Sequence, residues 1–173
     1  MERSKISNEF IAQSIIKLKE NGPRIQKCLD LLSEAEVWKR PNESSNSVGN
    51  LILHLCGNIT QYIISSLGEK QDLRERDEEF LARSGTSKTE LMDKLNSTVE
   101  ESIEVIKILS KTELLTVRDV QGFSLSGVGI IILVVEHYSY HTGQIAFWTK
   151  LLKDRDLGFY SGQDLNRKNV TPE

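Results

Sequence analysis

Histidine is scarce in this chain. There are three among 173 residues, and none falls in a stretch that reads as loop, tail or charged surface. Cysteine is scarcer, with Cys28 and Cys56 alone, both inside helical patterns. They make no disulfide framework, and the expected compartment is the reducing cytosol. Sequons at Asn42, Asn58 and Asn96 are then without meaning, because glycosylation requires secretion. Positive charge is not in excess. The formal net charge of -3 argues against a nucleic-acid partner, which would call for a basic face. Long apolar runs are missing as well. The longest uncharged stretch, Val120 to Val135, holds three glycines and is too short to span a membrane. The first residues, Met1 to Glu9, lack the apolar region of a secretion signal.

What is present is an ordinary globular mixture, 38% apolar and 27% charged. The length suits one domain that buries a core without staples. Apolar residues recur at helical spacing over 7–20 and again from Ile25 to Leu32. Asn21-Gly22 reads as a C-cap and Pro23 as the opening of the next segment, so a broken or kinked first helix is expected. A polar connection holding Trp38 and Pro41 follows. Asn46 or Ser47 should cap a second helix running to about Leu67 and stopping at Gly68. Gly49 and Gly57 weaken that helix, which suggests close approach of a neighbouring helix. Residues 69–83 read as a charged connection with a short helical turn. Ser87 with Glu90 makes a capping box for a third helix of about 20 residues. Residues 111–125 lose the helical period, leaving a short hairpin or irregular arm. A fourth helix runs from near Ser126 to near Lys153. The expected fold is all-α, a four-helix bundle, as one domain over 1–173 with its core at about 7–153 and a tail over 158–173 read as ordered loop fading to disorder.

Two histidines, His137 and His141, lie four apart in the most apolar run, about 40° from each other around the helix. They share a face with Ile130, Val134 and Trp148. His54 shares its face with Asn50, Asn58 and Gln61, a polar stripe in an apolar helix. Buried polar groups without partners cost a few kcal/mol, so three such groups require an explanation. One is a metal: two imidazoles at i and i+4 and one from a facing helix give three nitrogen ligands with open positions, suited to Zn²⁺, Ni²⁺ or Fe²⁺. Gln144, Glu136, Asn58 or Tyr140 would hold the ring tautomers. The plainer account is that helix–helix hydrogen bonds satisfy the histidines. A lone His-x-x-x-His is a weak motif and here lacks the glutamate of a zinc protease.

The segments Trp38-Lys39-Arg40-Pro41-Asn42, Asn46 to Asn58 with His54 within it, and Glu136-His137-Tyr138-Ser139-Tyr140-His141-Thr142-Gly143-Gln144 resemble the DinB-like (YfiT-like) superfamily of metal-dependent proteins. Arg74 to Phe80 looks like one of its uncharacterised bacterial branches, and the likeness runs from about Ile11 to Leu152. It implies an up-down-down-up bundle, often a homodimer, with a divalent metal on His54, His137 and His141. It also implies a thiol-dependent S-transferase or isomerase that uses a low-molecular-weight thiol such as bacillithiol, mycothiol or glutathione.

Two function classes stay open. In the first, an enzyme for a small-molecule substrate, the metal activates a thiol or, in a hydrolase, water. Glu136 is the only acid beside the histidine pair and is a weak candidate for general base, since it sits about 100° from His137. In the second, the metal is structural or the bundle is an oligomerising stress protein. Arg74 and Arg76 read either as a solvated charge run or as a clamp for an anionic thiol. Ile130-Ile131-Ile132 cannot all face one core, which suits dimerisation.

Overall fold

Every long helix opens on a serine whose hydroxyl accepts a hydrogen bond from the N–H three residues on, the arrangement that satisfies an otherwise orphaned donor. The computed structural model describes residues 4–170. In it Ser4 caps α1 (Lys5–Leu31), Ser47 caps α3 (Val48–Ile59), Ser87 caps α5 (Lys88–Ile108) and Ser126 caps α7 (Gly127–Lys153). Between them lie three short helices, α2 (Glu34–Trp38), α4 (Arg76–Leu81) and α6 (Lys111–Leu115). Expectations that rest on 1–3 and 171–173, at the two ends of the chain, lie outside the described residues.

The expected break in the first helix is absent. α1 runs unbroken through Asn21-Gly22, with Pro23 inside it. An interior proline costs a helix about 3 kcal/mol. Here Leu18, Ile25, Cys28 and Leu29 bury almost completely on both sides of it. At about 1.5–3 kcal/mol for each buried aliphatic side chain, packing outweighs the local penalty. α3 continues as a π-helical segment, Thr60–Ser65, so the second helical stretch ends close to Gly68 as its sequence requires. α2 was not expected. Its signal is a Ser33–Glu36 capping box, shorter than any apolar period can reveal.

The arm before the last helix is a hairpin. β1 (Val117–Val120) pairs antiparallel with β2 (Phe123–Ser126), Val120 opposite Phe123. The two turn residues, Gln121 and Gly122, both have positive φ, 53° and 82°, the requirement of the turn that matches strand twist. The Tyr62 hydroxyl donates to Gln121 Oε1 at 2.9 Å and ties the turn to the bundle.

The four long helices close a ring in which α1 touches α7 and α5, and α3 touches α5 and α7. Ile52, Leu55, Ile59, Leu95, Ile103, Val134 and Ile145 fill its centre. No helix of the described residues is long and apolar enough to cross a membrane. The α3–α7 contact sets His54 against His137 and His141.

Candidate metal centre

Three imidazoles converge where α3 meets α7. His54 Nε2 lies 2.9 Å from His137 Nε2, which lies 3.1 Å from His141 Nε2. The ligating atoms of all three rings fall within 4.8 Å of one another. His54 and His141 are buried and His137 is half-buried. The i, i+4 spacing on α7 makes the His137–His141 pair, and helix packing brings His54 to it.

The far side of each outer ring is occupied. His54 Nδ1 is 2.9 Å from Glu79 Oε2. A carboxylate accepts and does not donate, so the nitrogen carries the hydrogen and Nε2 keeps its lone pair. Arg74 Nη2 lies 3.1 Å from the same nitrogen, but it also donates to Glu79 Oε2 at 2.8 Å, and the carboxylate decides the tautomer. His141 Nδ1 is 2.7 Å from Gln144 Oε1, which fixes the same tautomer there. Two lone pairs therefore face His137 Nε2, and one hydrogen on that nitrogen satisfies only one of them. A cation satisfies all three. Two nitrogens each about 2.0–2.1 Å from one ion lie about 3 Å apart, as these do. The donor set fits a metal ion.

Electrostatics agree with neutral, ligand-competent rings at His137 and His141. Burial, then the neighbouring His141 and His54, then Arg74 and Arg76, push the His137 imidazole down to about 4. Burial lowers His141 too, against the opposing hydrogen bond that its Nδ1 donates to Gln144 Oε1. Burial raises the Glu79 carboxyl, but hydrogen bonds from Arg74 and His54 outweigh it and the group stays below its ordinary range. Glu79 is thus an anion at neutral pH.

Glu79 and Arg74 form the part of the site that sequence reasoning missed. Arg74 Nε donates to Glu79 Oε1 at 2.7 Å, with both side chains almost wholly buried. Arg74 Nη1 also donates to Gln61 Oε1 at 2.8 Å. Arg74 is therefore neither a solvated surface charge nor a free clamp for an anion. The usable signal was the polar stripe on α3. Asn50 and Gln61 flank His54 on one face and needed partners: Asn50 Nδ2 donates to the carbonyls of Glu79 and Ala82, each at 2.8 Å. Gly57 is the second sign. A Cβ there would lie 1.9 Å from Glu79 Oε1 and 2.7 Å from Arg74 Nε. The close approach it permits is by this ion pair. Gly49 instead makes room for the Trp38 ring.

The other candidates scatter. Tyr140 is exposed and sets its ring edge-on to His141, centroids 5.0 Å apart. Asn58 is buried with its Oδ1 unpaired. Glu136 is exposed and lines a neighbouring cleft with Lys17, Glu20 and Arg24. Arg76 lies over Phe80, 4.8 Å to the ring centroid, and Phe80 in turn packs on His54. Burial pushes the Cys56 thiol up to about 12, which leaves it inert. Ile130 and Ile131 are buried and Ile132 is exposed.

Comparison with solved structures places this bundle among proteins of the same fold. A conserved protein from Enterococcus faecalis superposes with a TM-score of 0.72 at 17% identity, over 83% of this chain and 97% of that one. A DinB-like protein from Bacillus cereus gives 0.62 at 18%, over 78% and 87%. The DinB-like protein YjoA of Bacillus subtilis gives 0.65 at 17%, over 86% and 97%. At these identities the likeness is one of fold. No curated protein matches the chain. A family model described as a protein of unknown function (DUF1572) matches residues 5–161, and the chain belongs to that family, built on a DinB-like helical bundle.

Proposed function

We propose that His54, His137 and His141 are the protein ligands of one divalent metal ion, zinc, nickel or iron(II), in a single-domain protein spanning 1–173. The observation that carries this reading is the convergence of three Nε2 atoms, two of them held as lone pairs by Glu79 and Gln144. When bound, such an ion supplies a fixed positive charge that favours the deprotonated form of a thiol or of water near neutral pH.

The chain's own groups do the rest. Glu79 and Gln144 orient the rings, and the buried Arg74 holds the Glu79 carboxylate in place. Among the described residues no fourth histidine, cysteine, aspartate or glutamate joins the cluster, whereas a structural zinc is usually closed by a fourth ligand. That supports an enzyme over a purely structural site. The reaction class we propose is metal-dependent S-transfer from a low-molecular-weight thiol such as bacillithiol, or hydrolysis, by a homodimer in a bacterial cytosol. Glu136, exposed and turned to another cleft, is a poor general base for either.

Elemental analysis of protein purified without added metal, beside a His137→Ala/His141→Ala variant, tests this. About one equivalent of zinc, nickel or iron in the parent and none in the variant is expected. A parent that is empty and refuses added Zn²⁺ and Ni²⁺ sinks the proposal and leaves the histidines as core polar groups.

A further inference from the structure

Glycine is the least favourable helix residue after proline, yet Gly143 sits in the middle of α7. Other glycines of this chain lie against neighbours. A Cβ at helical Gly49, Gly57 or Gly127, or at Gly68 in the turn after the π-helical segment, would come within 3.0 Å of another atom, and at Gly22 and Gly129 it would make ordinary contact at 3.6 and 3.5 Å. At Gly143 it would meet nothing within 4 Å, and the residue is exposed, two positions beyond His141. Its backbone is ordinary right-handed helix, so conformation does not demand glycine either. Nothing within the chain needs the missing side chain.

Gly143 borders two clefts: a charged one with Lys17, Glu20, Arg24 and Glu136, and one of about 790 Å³ between α7 and the loop that leads into α3. His141 and Gln144 line the second on one side, with Phe147 and Trp148 beyond them; Leu51 and Ser45 are on the other. No lysine, arginine, aspartate or glutamate lines it, in a chain where such residues make up 27%. Phe147 is 70% exposed at its rim. Trp148 keeps its indole Nε1 buried without a hydrogen-bond partner. A cleft of this volume suits a small molecule.

We infer that this cleft is the substrate pocket of the three-histidine site, that it takes the uncharged, apolar part of a small molecule, and that Gly143 keeps its mouth open. Adjacency to His141 makes the inference rest on the metal reading for its catalytic meaning. Ligand binding in the cleft does not rest on it, and the two are separable by experiment.

The probe is 1-N-phenylnaphthylamine, neutral at pH 7, whose emission rises and shifts to the blue in an apolar pocket. It is titrated into metal-free parent protein and into Gly143→Ala and Gly143→Leu. Saturable enhancement is expected in the parent. A loss of affinity of tenfold or more is expected in Gly143→Leu, with an intermediate loss in Gly143→Ala. Both glycine variants should melt no lower than the parent, since each replaces glycine in a helix with open space beside it. In competition, 1-naphthalenemethanol should displace the probe at lower concentration than 1-naphthoate. No saturable enhancement, or affinity unchanged in Gly143→Leu, overturns the pocket. Equal or better competition by the carboxylate overturns the uncharged class. Sedimentation equilibrium supplies the last arm: a dimer that Gly143→Leu converts to monomer would assign the open space to a second copy and overturn the small-molecule reading. Metal bound without probe bound defeats this inference alone. Probe bound without metal defeats only the metal reading.

Discussion

A carboxylate with one-tenth of its side chain exposed, between a histidine and an arginine that is more buried still, is costly unless every charge has its partner. Glu79→Gln should therefore show two separate losses. Metal affinity should fall about 10–100-fold, because the His54 tautomer loses its anionic acceptor, and stability should fall by about 3–5 kcal/mol, because Arg74 is left buried without its counter-charge. Competition with a chromophoric chelator reads the first and thermal melting the second. Arg74→Met/Glu79→Leu separates them: stability should largely return while metal affinity stays low. Affinity that also recovers would show that Glu79 acts only on folding. Gly57→Ala sets two effects of opposite sign against each other. Helix propensity favours alanine by about 1 kcal/mol, but the new Cβ displaces the Glu79–Arg74 pair it would meet at 1.9 and 2.7 Å. Displacing a hydrogen-bonded buried ion pair costs more than the helix gains from alanine, so lower metal affinity and a lower melting temperature are expected together.

At the scale of elements, α4 is too short to hold itself. Its six residues fall well below the length at which an isolated helix is stable. It is fastened to α3 by Asn50, and by Arg40 Nη2, which donates to the Phe80 carbonyl at 2.5 Å. Asn50 also closes the Ser47 cap, accepting from the Ser47 N–H and hydroxyl. Asn50→Leu should release the strap. Amide exchange over 74–82 should accelerate, and metal affinity should fall with it, while the long helices keep their protection. The join between α2 and the end of α7 is electrostatic. Lys153 Nζ lies 2.7 Å from both oxygens of Glu36. That contact, together with the Ser33 N–H and hydroxyl, pulls the Glu36 carboxyl from 4.5 down to about 2. A carboxyl depressed by folding stabilises above its unfolded value and ceases to do so as pH falls through its folded one. Glu36→Gln should therefore lower the melting temperature at pH 7, and the deficit should narrow between about pH 4.5 and pH 2. A deficit independent of pH would assign the loss to packing.

For the whole molecule, a ligand that binds only the folded state stabilises it by mass action, by about 2.7 kcal/mol at a hundredfold excess over its dissociation constant. For a chain of this size that corresponds to a rise in melting temperature of about 5–10 °C. Zn²⁺ or Ni²⁺ should produce it in the parent, a chelator should reverse it, and the His137→Ala/His141→Ala variant should not respond. Family membership and fold agree with such a site but do not name its reaction, since one bundle carries many functions.

The sequence by itself determined what is local. A serine followed by a free N–H three residues on marks where each long helix begins, because capping is decided within one turn. Spacing of four on α7 places His137 over His141, and Gln144 three residues beyond His141 reaches its ring, because the helix repeats every 3.6 residues. The scarcity of histidine drew attention to all three. Tertiary structure decided the rest, because those effects come from contacts distant in the chain. α1 passes through Pro23 because burial on both sides of it exceeds the local cost. Gly57 is explained by Glu79, and the charged run 74–80 divides into a buried arginine, a buried glutamate and exposed neighbours only when α4 is laid on α3. Side-chain charge is legible in a sequence; whether that charge is buried and paired depends on what packs over it.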